Sequence, residues 1–475
     1  MAHFLTPETR AVRSATGLQQ RLRVAIVVVL VTATALTGLG FTGHAQNRGT
    51  AMLALNHASA ASDARLEEIA SAPFGVFDGV DYVQFTGRFV GSTSLGAFRV
   101  PFEIVVPADP DLGSGTVVFE PPHFTVGPGG RDLVLGQDLL FRQGDAWASV
   151  GFGTNGLNIL DPTAADAVIA GQPVVNPGEL DLSGVVDEEI LIQFAQLLRE
   201  SDVLPGAPGG FERVYAFGVS QTSSVLLEML FNPASGELFD FTMLHVASWQ
   251  DPFWPAGVWD FLDGEFALPS GGGRMIFIET EGDLVISDPE QFRSAAERQD
   301  VRIYEVAGAA HVPTPTNPLD HYAVGRALWT RGDAWVRLGE LPPPSMLIER
   351  DETGTPDPVY GFVTGIARDA DLNARGGLRL PDLHVGRAQF IAADFSVAPL
   401  PGFEGLFGLM VDLACEPRPG SEGGPRFRNH GAYVSQFSRQ TDRLVRQGFL
   451  LPADAEVLKE QAATSQVGKP RTCAT

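Results

Sequence analysis

Three side chains in this 475-residue chain could together attack a carbonyl. They are Ser220 in "VYAFGVSQTSS", Asp283 in "RMIFIETEGDLV" and His311 in "VRIYEVAGAAHV". A serine hydroxyl is a weak nucleophile until a base takes its proton, so an imidazole must lie within hydrogen-bond reach. The imidazole in turn needs a carboxylate to hold its ring and tautomer. Ser220 stands at the centre of Gly218-Val219-Ser220-Gln221-Thr222, where an apolar run ends at Phe217 and the helical run "VLLEML" follows. A strand–turn–helix setting of this kind lifts a serine Oγ out on a sharp turn. Gly218 relieves crowding there, while Thr222 stands where a second glycine is usual.

Singly, each residue has an ordinary alternative. Ser220 could belong to a Ser/Thr-rich loop, Asp283 could shape a Gly-Asp turn, and His311 could bond a loop. Their joint occurrence in the order Ser, acid, His, each just past a strand, favours chemistry, because catalytic groups of open α/β sheets gather at strand ends. Asp283, just past Gly282, is the expected orienting carboxylate. Glu281 competes for that role, and Glu279 belongs to the strand. The oxyanion formed on acyl attack needs two backbone donors. Gln221 N–H, directly after the nucleophile, is one. The second is expected from the loop in "VFEPPHF", at His123 or Phe124, because Pro121 and Pro122 have no N–H to donate. His245, ending "MLHVAS", is read as lining the pocket, and His321 as structural or at the rim. The stretch "WQDPFWPAGVWDFLDG" lies where a lid or cap is inserted, and Trp249, Phe253, Trp254 and Trp259 could line an apolar acyl or aryl pocket. Packing of a long loop would account for the same aromatics.

The elements that must position these groups follow from periodicity. From Asp81, "YVQFTGRFVG", "FRVPFEIVV" and "GTVVFEPP" read as strands separated by Gly, Pro and Asp. "DLVLGQDLLFRQG" reads as a helix and "AWASVGF" as a buried strand. In "DEEILIQFAQLLRE", Ile190, Leu191, Phe194, Leu197 and Leu198 recur at helical spacing. Apolar strands then alternate with helices as far as "DHYAVGRALWTRGDAWVRLG", which predicts a mostly parallel sheet covered on both faces. The expected divisions are a polar lead-in at 46–70, a core at 71–340 with a cap-like insertion near 249–272, and a mixed extension at 341–475. "LPPPS" at Leu341–Ser345 reads as the linker between the last two.

The amino terminus has the pattern of a secretory signal. "RLR" precedes the apolar run Val24–Phe41, and "GHA" at Gly43–Ala45 places small residues at a cleavage site. Residues 1–45 are therefore expected to be removed on export, with a retained membrane anchor as the competing reading. After cleavage no stable membrane contact is expected. A formal net charge of −24 disfavours nucleic acid and anionic lipid surfaces, whose capture needs clustered Lys and Arg. No His-Glu-x-x-His or comparable ligand spacing is present, so neither a metal nor an organic cofactor is expected. The two cysteines, Cys415 and Cys473, fit one structural disulfide in an oxidising compartment.

"YAFGVSQTSSVLLEML", "IETEGDL", "RIYEVAGAAHV", "DADLNARGGLRLPDLHVG" and "YVSQFSRQTDRLVRQGFLLPADAEVL" together resemble a family of large, often exported bacterial α/β-hydrolase-domain proteins. The resemblance runs from about Phe77 to Ala463. Ser220-Gln221-Thr222-Ser223 stands where that family usually shows Ser-Gln-Ser-Gly. The resemblance implies an α/β-hydrolase fold, a Ser-His-acid hydrolase on Ser220, His311 and Asp283, and a "GGLRLPDLHVG" segment packed back over the core or pocket. The expected activity is cleavage of a small or polymeric ester. The alternative is a catalytically silent fold of the same class used for binding.

Overall fold

The computed structural model describes residues 63–469 except 124–126, 155–165, 175–184, 201–203, 208, 248–267, 269–271, 288–289, 397–404 and 422–423. Within the described residues the apolar runs build an 11-stranded sheet. Its first part is an antiparallel meander of β1 (Arg65–Phe77), β2 (Val80–Thr93) and β3 (Gly96–Pro107). Next come β4 (Thr116–Phe119), β5 (Ala146–Val150) and two short strands that branch from β3, β6 (Val168–Ile169) and β7 (Gln172–Pro173). β8 (Arg213–Val219), β9 (Phe241–His245), β10 (Arg274–Thr280) and β11 (Val301–Val306) complete it. The strand order is β1-β2-β3-β5-β4-β8-β9-β10-β11, parallel from β5 onward. The chain reverses direction across the sheet between β4 and β8, which opens a crevice at their carboxyl ends.

β8 shows why these strands read as continuous apolar runs. Both of its faces are covered, so Val214 to Phe217 are all fully buried. Tyr215 and Phe217 meet Trp329 of α4 (His321–Leu338) on one face, at ring-centroid distances of 6.0 and 5.6 Å. Gly218 faces the other way, toward α2 (Gln221–Phe231), which packs against α1 (Glu188–Glu200). A Cβ on Gly218 would lie 2.7 Å from the backbone N of Ser223, so only glycine allows this approach. α1 buries Ile190, Leu191, Phe194 and Leu198 of the predicted stripe, while Leu197 is half-buried.

Several expectations are corrected. The lead-in ends before residue 70, because β1 already begins at Arg65 and pairs with β2. The helix expected in "DLVLGQDLLFRQG" is broken at Gly136 (φ 78°) into a π-helical turn and a five-residue helix. The turn expected after β10 is the start of a short helix, α3 (Glu281–Ser287). "LPPPS" is not a free linker but runs beside β11. Tyr304 Oη donates to the Pro343 carbonyl (2.5 Å), Ile303 N–H to Ser345 Oγ (3.1 Å) and Met346 N–H to the Ile303 carbonyl (2.9 Å).

The segment "GGLRLPDLHVG" does pack on the core. Leu378 pairs with Glu305 and Ala307, and Leu378, Leu380 and Leu383 are buried. A two-stranded sheet of β12 (Ala388–Ile391) and β13 (Leu409–Asp412) follows, then α5 (His430–Gln447) and α6 (Pro452–Thr464). Cys415 is disulfide-bonded, and the chain's other cysteine, Cys473, lies outside the described residues. Residues 1–45 also lie outside them, and no described helix is long and apolar enough to cross a membrane.

Candidate active site

Ser220 sits between β8 and α2 with φ 54° and ψ −125°, a backbone conformation that is strained for any residue with a Cβ. Three hydrogen bonds hold the turn to the end of β9. Ser220 N–H donates to the His245 carbonyl (2.9 Å), and Ser223 Oγ both donates to that carbonyl (3.1 Å) and accepts from His245 N–H (3.0 Å). Thr222 Oγ1 folds back on the strand, accepting from Val219 N–H (2.9 Å) and donating to the Val219 carbonyl (3.0 Å). The two residues that depart from Ser-Gln-Ser-Gly are therefore accommodated by paired hydrogen bonds. Ser220 is the N-cap of α2 yet makes no side-chain cap, and its Oγ turns to His311 instead.

Ser220 Oγ lies 2.8 Å from His311 Nε2, and His311 Nδ1 lies 2.5 Å from Asp283 Oδ1. His311 and Asp283 are buried, and the three residues follow β8, β11 and β10 respectively. Burial pushes the Asp283 carboxyl up, but the adjacent His311 and the hydrogen bonds from His311 and Thr280 outweigh it. The group is held below its ordinary value. Its second oxygen closes a capping box. Asp283 Oδ2 accepts from Thr280 N–H (3.0 Å) and Oγ1 (2.6 Å), while Asp283 N–H donates to Thr280 Oγ1 (3.2 Å). Each carboxylate oxygen thus has its own partner, which fixes the angle of the group.

Glu281 is directed elsewhere. It is fully buried, pairs with Arg368 and accepts from Gly308 N–H (2.7 Å). Arg368 also binds Asp357 (2.7 Å), so an arginine from the extension neutralises two buried carboxylates. Gly282 permits a close approach, since a Cβ there would stand 3.2 Å from His311 N. Glu279 lies in β10 and accepts from Ala247 N–H (3.3 Å); burial first, and then Asp283, holds its carboxyl well above the ordinary range.

Other expected site residues are placed differently. His245, read as lining the pocket, is fully buried beneath the turn, because its strand ends inside the sheet and its Nε2 is 2.7 Å from His321 Nδ1. Burial lowers the pKa of both imidazoles. His321 is accordingly interior rather than at a rim. His123 N–H donates to the Gly127 carbonyl (2.8 Å), so it is already engaged. Gln221 opens α2 directly behind Ser220. Phe124, Trp249, Phe253, Trp254 and Trp259 lie outside the described residues.

The geometry also contains residues that the sequence reading passed over. Thr280 could have been found, since Thr280-Glu281-Gly282-Asp283 has the spacing of a capping box. Arg368 could not, being 85 positions from Asp283 in the chain. Glu120, at the end of β4, accepts from Arg131 N–H (3.0 Å), Trp147 Nε1 (2.8 Å) and Gly130 N–H, and so ties the end of β4 to residues 130–131 and to β5. Among the described residues no group of His, Cys, Asp or Glu is arranged to hold a metal ion.

The strand order, the serine on its strained turn and the trailing acid and histidine are the layout of one enzyme superfamily. A model of the alpha/beta hydrolase domain matches residues 100–460. The chain belongs to the alpha/beta hydrolase domain family. No curated protein matches this α/β-hydrolase significantly in sequence. Among solved structures, it is similar to an S-formylglutathione hydrolase from Agrobacterium tumefaciens, with 12% identity over 50% of this chain and 89% of that one (TM-score 0.31). It is also similar to brefeldin A esterase, a bacterial homologue of human hormone sensitive lipase, with 13% identity over 53% and 71% (TM-score 0.27). A thermostable esterase from Pseudomonas putida shows 12% identity over 50% and 72% (TM-score 0.25).

Proposed function

We propose that this α/β-hydrolase is an exported serine hydrolase that cleaves carboxylic esters through an acyl-enzyme. The observation that carries the reading is the hydrogen-bonded series Ser220–His311–Asp283 on a strained turn. Ser220 Oγ attacks the ester carbonyl while His311 Nε2 takes its proton. Asp283 Oδ1 holds the Nδ1–H and stabilises the imidazolium that forms. The oxyanion rests on backbone N–H groups, with Gln221 and Phe124 as the assigned donors. Collapse expels the alcohol, which takes the proton from His311. Water, deprotonated by the same nitrogen, then attacks the acyl-enzyme, and collapse releases the acid and regenerates Ser220. These steps use no metal or organic cofactor. Export follows from the signal-like residues 1–45.

The silent-scaffold alternative drew on Thr222 and Ser223; the hydrogen bonds of both support the hydrolase reading instead. A fluorophosphonate probe tests the proposal directly. Wild-type protein should be labelled, and Ser220→Ala and His311→Ala should not. Folded wild-type protein that takes no label would sink the enzyme reading.

A further inference from the structure

We propose that a cleft in the carboxy-terminal extension, walled by His384, Arg418, Arg426, Gln436, Arg439 and Gln440, binds a small polyanion bearing carboxylate or phosphate groups. The cleft has a volume of about 320 Å³, within the range of small-molecule sites. Among the described residues no Asp or Glu lines it, although the chain carries 57 acidic against 33 basic residues. That local reversal of charge needs a reason.

The walls come from three places. His384 ends the short helix Pro381–His384, Arg418 and Arg426 belong to the loop after β13, and Gln436, Arg439 and Gln440 lie on α5. Their i, i+3, i+4 spacing puts the last three on one helical face.

The arginines are not equivalent. Arg426 is structural: both of its terminal nitrogens bind Asp371 (2.5 and 2.8 Å) and one also donates to the Gly386 carbonyl (2.8 Å). Arg418 donates to the Val385 carbonyl (2.9 Å), and Arg439 donates to Ser435 Oγ on its own helix (2.6 Å). Among the described residues neither Arg418 nor Arg439 meets a carboxylate, so two full positive charges face one cleft. Burial first, and then the nearby Arg379 and Arg443, hold the His384 imidazole below its ordinary value.

Guanidinium forks match carboxylate and phosphate oxygens two at a time. The side chains of Gln436 and Gln440 add neutral donors. A polyanion would remove the repulsion between Arg418 and Arg439 and bridge the loop to α5. None of these residues belongs to the Ser220–His311–Asp283 network, so the site goes beyond the ester-cleaving reading and does not depend on it.

Isothermal titration of the full chain with sodium pyrophosphate and with citrate, at ionic strength matched by sodium chloride, tests the assignment. At least one probe should bind at one site per chain. Its affinity should weaken about tenfold in Arg418→Gln and in Arg439→Gln, as a lost charge-assisted bond implies. Arg65→Gln, a charge change on β1, and Ser220→Ala should both bind like wild type. Binding of pyrophosphate alone would indicate a phosphate ligand, and binding of citrate alone a carboxylate. Arg418 and Arg439 are exposed, so both variants should keep the wild-type melting temperature. Failure of both probes to bind, or wild-type affinity in both arginine variants, would overturn the proposal.

Discussion

Asp283 and Glu281 stand two residues apart at the start of α3, and their hydrogen bonds separate their roles. Asp283 gives one oxygen to His311 and the other to Thr280, whereas Glu281 neutralises Arg368. Replacing Asp283 by Asn should leave a folded protein whose kcat on a chromogenic ester falls by about 10³–10⁴, through the wrong imidazole tautomer. Glu281→Gln should instead cost about 3 kcal/mol of stability, as removal of one buried ionic partner does, and leave kcat within about tenfold. The reverse pattern would make Glu281 the orienting acid. The pKa of Asp283 is lower folded than unfolded. Its contribution to stability is therefore present above the unfolded value of about 3.9 and is lost as the pH falls through the lower folded value.

Elements act here through their ends. The β8–α2 turn is tied to β9, the start of α3 is closed by a capping box, and the end of β4 is tied to residues 130–131 by Glu120. Burial raises the Glu120 carboxyl to about 7, against the opposing effect of bonds from Trp147, Gly130 and Arg131. A raised carboxyl binds its proton more tightly in the folded state. Its stabilising effect is complete below the unfolded value of about 4.3 and is lost as the pH rises through about 7. Glu120→Gln should therefore flatten the fall in unfolding free energy between pH 5 and pH 8, measured by urea denaturation. A slope equal to that of wild type would show that Glu120 is not the group responsible.

At the scale of the molecule, the sheet's two edges are protected differently. β1 carries charged residues and two irregularities in its pairing, at Glu67/Ala70 and Pro73/Gly75, which blunt it as a template for another strand. β11 is covered by residues 343–348 and 378 of the chain itself. Cys415 is disulfide-bonded, and Cys415→Ser should lower the unfolding free energy by about 2–4 kcal/mol, as loss of a native bridge does. An unchanged urea midpoint would show that the bridge adds nothing. The order of Ser220, Asp283 and His311, and the strands that precede them, were legible in the sequence. Strand alternation, helical spacing and turn glycines are short-range signals carried by neighbouring residues. Even the capping box at Thr280–Asp283 is local. Tertiary structure alone decided that Glu281 faces Arg368, that His245 is interior, that Thr222 and Ser223 fit the turn, and that "LPPPS" lies along β11. Each of those outcomes depends on a partner distant in the chain, and the residue types alone do not say which of several possible partners the packed sheet will bring within hydrogen-bonding distance.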